Sequence, residues 1–271
     1  MGDRMKFRAI IVVIVCTVSF NLMHSKNLSD NVSQAKIRAV IFDCDGVLVD
    51  TEYLKLLSWQ HVLKKHNIDF SLQDYVPLVG YSGNYILGKI SEKYAITFPS
   101  SVCTEICVER NVYYKTLQNK GVPVIQAAVD FAKALALQKQ LLGIKIGLAS
   151  SAERHEVMEN LKQAGLSDVF DVIVSGKDDL AEYHDVTGTN KPKPYVYQKT
   201  AKLLGLEPSE CLVFEDTQAG IVAGADAGMF VIAVPNDYTK TQDFSRARLV
   251  IASCADLSAT TLLSTVLKDL L

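Results

Sequence analysis

Asp43-Cys44-Asp45-Gly46 puts two carboxylates at i,i+2, so both can face one pocket while Cys44 points away and Gly46 allows a tight reversal. Glu215-Asp216 adds two more carboxylates, followed by Thr217, a residue suited to begin a helix. Ser150-Ser151 offers hydroxyls able to hold a phosphate oxygen, and Lys191-Pro192 offers a cation at the start of a helical stretch. Asp43, Asp45, Glu215 and Asp216 cannot be charged and close without a cation, and hard oxygen ligands favour Mg²⁺. Ser150, Ser151 and Lys191 then complete a phosphate site, where a carboxylate facing the phosphoryl group can act as nucleophile through an aspartyl-phosphate. Each cluster alone has an ordinary reading as a turn, a helix cap, a loop or first-turn charge. Their conjunction is what points to chemistry.

A parallel sheet is the element that would gather residues so far apart. Short, nearly continuous apolar runs occur at 37–42, 144–149, 172–174, 211–214, 230–234 and 249–251, the mark of strands buried on both faces. Helical patterns lie between or after them at 124–142, 152–164, 194–204, 217–227 and 256–270, which implies βαβ units in a doubly wound α/β sheet. In such a sheet ligands bind beyond the carboxyl ends of the strands, and each of the four clusters follows a different strand-like run. From 51 to 121 the strand signal vanishes. Leu56, Trp59 and Leu63 form an apolar stripe there, and 101–119 reads as another helix, so a helical domain is inserted after the first strand. The expected organisation is a leader and linker at 1–35, an α/β core from 36–50 and 122–271, and a helical block at 51–121.

Composition narrows the function classes. The 271 residues are 49% hydrophobic and 21% charged, with 15 Gly and 7 Pro, which excludes disordered and collagenous chains. A formal charge of −2 gives no basic field for nucleic acid. The mean hydropathy of +0.15 has a local source. Arg4, Lys6 and Arg8 precede an apolar run at 9–20, the grammar of a signal peptide that suggests export or membrane association. Poor cleavage sites leave a cytoplasmic protein with a non-functional extension as the alternative. The six cysteines show no zinc or disulfide pattern.

The segments FDCDGVLVDTE (42–52), GLASS (147–151), NKPKP (190–194) and LVFEDTQAGIVAGADAGM (212–229) resemble, in order, the four motifs of the haloacid dehalogenase-like superfamily. Within it the chain is similar to the branch with a helical cap after the first motif, which holds β-phosphoglucomutase and sugar-phosphate phosphatases. The resemblance implies a Rossmann-like core, Asp43 as nucleophile and Asp45 as general acid and then base. It also implies Mg²⁺ held by Asp43, Asp216 and the main-chain carbonyl of Asp45, with Glu215 in or beside the metal shell. Ser150, Ser151 and Lys191 would hold phosphate. A dehalogenase would leave Asp45, Glu215 and Asp216 unexplained.

The resulting expectation is a monomeric phosphatase of a small phosphorylated metabolite, a sugar phosphate in particular. Lys55, Tyr81, Ser82, Arg110 and Lys115 are the candidates for substrate contacts from the cap. A phosphomutase is the alternative, and a non-catalytic binding protein on the same fold is the third reading. A mutase needs a second phosphate grip, which in the mutase resemblance includes a cap-helix His and an Arg in a Gly-x-Ser-Arg loop. Lys55 and Gly83 stand at those positions here. The chain also departs from many relatives at Tyr195, in a long loop at 176–189 and in lacking Pro-Gly around Gln126-Ala127.

Overall fold

The computed structural model describes residues 37–257. Six parallel strands form one sheet: β1 (Ala39–Phe42), β2 (Lys145–Ser150), β3 (Val172–Ser175), β4 (Cys211–Glu215), β5 (Phe230–Ala233) and β6 (Leu249–Val250), in the order β3-β2-β1-β4-β5-β6. The continuous apolar character of β1 follows from burial on both faces. Val40 and Phe42 face the side covered by α5 (Gln126–Leu142) and α6 (Arg154–Gln163). Ala39 and Ile41 face the side covered by α7 (Tyr195–Leu204) and α8 (Gln218–Asp226). Phe42 pairs in register with Leu148 and Phe214, and its ring stacks on Phe214 at 5.1 Å between centroids. The strand order reverses at β1, between β2 and β4, so Asp43, Ser150 and Glu215 share one edge at the switch point.

Between β1 and α5 the chain forms α1 (Glu52–Lys64), α2 (Leu72–Tyr75), α3 (Gly83–Tyr94) and α4 (Ser100–Gln118), with α1 packed chiefly on α4. Leu56, Trp59 and Leu63 are buried, as their stripe predicts, with Phe70, Ile86, Leu87 and Ile106 in a cluster of their own. The two connections to the core run side by side. Asp50 N donates to Pro123 O (2.8 Å) and Ile125 N to Leu48 O (3.0 Å), around a bridge between Val49 and Val124.

The expected leader and Cys16 lie outside the described residues, as does the expected C-terminal helix beyond residue 257. Among the described residues no helix is long and apolar enough to cross a membrane. Cys44, Cys103, Cys107, Cys211 and Cys254 are free thiols.

A capping box gives the helical block an acid-sensitive tie. Asp74 accepts from the amide (2.9 Å) and hydroxyl (2.8 Å) of Ser71 and from Tyr94 (3.2 Å), and pairs with Lys93. Partial burial opposes ionisation, but these donors win and hold its pKa at about 2. That lies below the unfolded value of about 3.9, so the stabilisation is present above that pH and lost as pH falls through about 2. Asp74→Asn is expected to destabilise the block by about 1 kcal/mol at neutral pH. The gap from wild type should close on acidification. Fluorescence of Trp59, the chain's one tryptophan and 2% exposed, reads the unfolding. A gap that persists unchanged to pH 2 contradicts the assignment.

Candidate active site

Asp43 leaves the end of β1 with its amide bonded to Phe214 O (3.0 Å), which fixes its carboxylate over the sheet edge. Lys191, from the turn before α7, reaches across the same edge. Its Nζ lies 2.8 Å from Asp43 Oδ1, 2.6 Å from Glu215 Oε1 and 3.3 Å from Ala149 O. Burial alone would lower the lysine's pKa, but Asp43 and Glu215 outweigh it and keep the ammonium charged. Ser150 is buried at the end of β2 with its hydroxyl accepting from Ala152 N (3.1 Å), and Ser151 follows it, half-buried.

Asp43, Glu215 and Asp216 offer ligand atoms all within 4.8 Å of one another. Asp216 Oδ1 is buried without a hydrogen-bond partner, while Oδ2 accepts from Asn236 Nδ2 (2.8 Å). Burial and then the charges of Glu215 and Asp43 push the Asp216 pKa well up. Burial likewise raises Asp43, against the pull of Lys191. An orphaned carboxylate oxygen among crowded acids is a donor set that fits a hard divalent cation. Glu215 is the more committed of the three. Its Oε1 takes Lys191 and Tyr197 OH (2.8 Å), and its Oε2 takes the amides of Asp216 (2.9 Å) and Thr217 (3.1 Å). Its side chain therefore organises Lys191 and the entry to α8. Two glycines make the packing feasible. A Cβ on Gly46, at φ +82°, would lie 2.1 Å from Asp216 Oδ2, and one on Gly220 would lie 1.7 Å from Glu215 Oε1.

The Asp45 carboxylate stands apart from that acidic trio, a difference from the expectation of four clustered side chains. Its Oδ1 accepts from Thr51 Oγ1 (3.0 Å) and Asn160 Nδ2 (3.3 Å), and Lys55 Nζ lies 3.5 Å from Oδ2. Lys55 is also bonded to Glu52 Oε1 (2.8 Å), whose other oxygen takes Tyr75 OH (2.6 Å). The lysine expected to touch substrate thus already answers two carboxylates.

The remaining cap candidates divide. The loop carrying Tyr81 and Ser82 lies against the core, with Val79 O accepting from Gln242 Nε2 (3.1 Å) and Gly80 close to Thr217. Within it Tyr81 stacks on Tyr85 at 4.3 Å, and Ser82 caps α3. Arg110 sits 5.6 Å from the Trp59 ring and 5.0 Å from Tyr114, with Nε buried and unpaired. Lys115 is exposed on α4 and has no ion pair among the described residues. Tyr195 secures the long loop, donating to Asp185 (3.0 Å), which also accepts from Thr187 and pairs with Lys193 (3.1 Å).

Sequence reasoning missed Thr51, Asn160, Asn236 and Tyr197. Tyr197 had a readable signal, an aromatic six residues after Lys191 on the buried face of a helix. Its hydroxyl bonds Glu215, and its ring lies 4.9 Å from the Lys191 ammonium. Tyr197→Phe keeps the ring and removes the hydroxyl, so it is expected to cost about 1–2 kcal/mol by thermal unfolding. A Tm equal to wild type would show that the hydroxyl contributes nothing.

Comparison with known proteins agrees with this geometry. The family model for haloacid dehalogenase-like hydrolases matches residues 40–234. The protein named "Putative phosphatase YhcW" of Bacillus subtilis (strain 168) is 33% identical over 229 residues, covering 84% of this chain and 96% of its own. The β-phosphoglucomutase of the same bacterium is 30% identical over 228 residues, covering 82% and 92%. The crystal structure of β-phosphoglucomutase from Clostridium difficile superposes with a TM-score of 0.69 at 28% identity, covering 86% of this chain and 98% of that one. With that span of the chain matched, and its strands, helical insertion and motif residues placed as described, the protein belongs to the haloacid dehalogenase-like hydrolases and is an enzyme of that family.

Proposed function

We propose that the protein is a Mg²⁺-dependent phosphatase of a small phosphorylated metabolite, in particular a sugar phosphate. The observation that carries this reading is the separation of two aspartates two residues apart. Asp43 is paired with Lys191 beside the orphaned Asp216 oxygen, and Asp45 stands apart from that cluster, with Thr51 and Asn160 donating to Oδ1 and Lys55 3.5 Å from Oδ2. That separation supports a reading in which Asp43 takes the phosphoryl group and Asp45 moves the proton.

Lys191 binds Asp43 Oδ1 and leaves Oδ2 to attack phosphorus. The ester P–O bond breaks and Asp45 delivers its proton to the leaving oxygen, giving an aspartyl-phosphate and an alcohol. Asp45, now ionised, takes a proton from water as the water attacks that phosphorus, and inorganic phosphate leaves with Asp43 restored. Lys191 and Ser150 hold the phosphoryl oxygens, and the lysine offsets their charge. Asp43, Asp216 and the main-chain carbonyl of Asp45 would hold Mg²⁺, which when bound neutralises charge on the transferred group.

A phosphomutase is the second reading, favoured by the likeness to β-phosphoglucomutases and by the unpaired Nε of Arg110. Against it, Lys55 is engaged by Asp45 and Glu52, and Gly83 has no side chain and packs beside Cys107 and Trp59. Phosphate release from a panel of phosphate monoesters with Mg²⁺ supports the phosphatase. Conversion of a hexose 1-phosphate to its 6-phosphate without release establishes the mutase, and inertness on both revives a binding role. In the same reading the protein is a monomer, and N-terminal sequencing of native material decides whether residues 1–35 direct export.

A further inference from the structure

Two fully buried amides connect the inserted block to Asp45. Asn160, on α6, is 0% exposed, and Gln118, the last residue of α4, is 1% exposed. Gln118 Nε2 donates to Asn160 Oδ1 (2.8 Å) and to Glu156 O (3.1 Å), which leaves Asn160 Nδ2 to donate to Asp45 Oδ1 (3.3 Å). Gln163, on the same helix as Asn160, clamps the far side. Its Nε2 donates to Gln118 O (3.1 Å) and its Oε1 accepts from Val122 N (2.8 Å). These contacts lie on the second connection between block and core. The first connection contributes Thr51, whose hydroxyl donates to the same Asp45 oxygen (3.0 Å). Both connections therefore end on one atom, Asp45 Oδ1.

Buried amides cost stability relative to apolar side chains of the same shape unless fully bonded, so packing alone does not call for this pair. We propose that Asn160 is a positioning residue for Asp45. With Thr51 it pins Oδ1 and fixes the plane of the carboxylate, so that Oδ2, which takes no hydrogen bond among the described residues and has Lys55 Nζ 3.5 Å away, is the oxygen that exchanges the proton. Gln118 fixes the orientation of the Asn160 amide, so the donor reaches Asp45 only when the return connection of the block is seated. This inference rests on Asp45 acting as the general acid and base of the phosphatase.

The test uses leaving-group dependence. Protonation of the leaving oxygen matters for an alkyl phosphate and hardly at all for 4-nitrophenyl phosphate, whose phenolate leaves unaided. The full chain with Mg²⁺ is assayed for kcat/KM on both, as wild type, Asp45→Asn, Asn160→Leu and Gln118→Leu. Asp45→Asn is expected to lose about 10²–10⁴-fold on the alkyl ester and far less on the aryl ester. Asn160→Leu keeps the side-chain volume and leaves Gln118 bonded to Glu156 O. It is expected to lose about tenfold on the alkyl ester, as for one hydrogen bond to a charged group, with less than about threefold lost on the aryl ester. Gln118→Leu should lose less in the same pattern, and the double variant should fall short of the product of the two losses.

Equal loss on both esters by Asn160→Leu, or no loss, while Asp45→Asn discriminates, overturns the positioning role alone. If Asp45→Asn itself treats both esters alike, the phosphatase reading of Asp45 fails and takes the inference with it. Should Asn160→Leu not fold, Gln118→Leu applies the same criterion from the other end of the pair.

Discussion

Asp43→Asn is expected to reduce phosphate release at least about 10⁴-fold while leaving the protein folded. The amide has the shape of the carboxylate, and its oxygen can still accept from Lys191, so the turn after β1 and its bond to Phe214 O persist. What disappears is the anionic oxygen that attacks phosphorus. Its neighbours have other partners or roles, Asp216 being the carboxylate the proposed reading gives to the cation. Glu215 is committed at both oxygens, and Asp45 is bonded on the far side of the turn. Removing the Asp43 charge relieves repulsion from Glu215 and Asp216 but weakens its pairing with Lys191, which keeps Glu215, so Tm should stay near the wild-type value. Acid-quenched reactions with labelled substrate should trap a phosphoryl-protein for wild type and none for the variant. A variant retaining more than about 1% of the activity would remove Asp43 from the role of nucleophile.

What the sequence made legible and what it did not follow from the range of the interactions. The strands were readable because burial on both faces writes a continuous apolar run, as in β1 and β4, and each reactive residue sits at a fixed offset from such a run. Asp43, Ser150 and Glu215 fall on one edge from their sequence positions alone, since parallel strands align their carboxyl ends. The partners of Asp45 could not. Asn160 meets it across 115 residues of chain, and an isolated Asn in a helix carries no periodic or motif signal. The same holds for Asn236 on Asp216. Spacing also implied one cluster of four acids, whereas the Asp43-Cys44-Asp45 turn sends the second carboxylate toward the helical block. Cap residues were the least readable. A charged residue on an amphipathic helix looks the same whether it is exposed, as Lys115 is, or framed by aromatic rings, as Arg110 is.

Asp216→Asn is expected to separate stability from activity. Asp216 is 1% exposed, with Oδ1 unpaired and with Glu215 and Asp43 beside it, and burial reinforced by those charges raises its pKa. Without a divalent cation the folded protein therefore bears the repulsion of three carboxylates, offset by a single lysine. A neutral amide removes one of those charges, and its oxygen can still accept from Asn236, so the EDTA-treated variant should melt about 2–4 °C above EDTA-treated wild type. Mg²⁺ should reverse the order. Wild type gains stability as the cation binds only the folded state, by an amount that grows with concentration over Kd. The variant, with an amide in place of an anionic ligand, should show little shift at the same Mg²⁺ concentration, and its phosphate release should fall about 10³-fold. Thermal unfolding and phosphate release, each with EDTA and with Mg²⁺, give the four measurements needed. A variant that still gains the wild-type shift with Mg²⁺ would show that Asp216 does not hold the cation. EDTA-treated wild type melting above the EDTA-treated variant would show that its charge is already compensated within the fold, and that the unpaired oxygen does not await a cation.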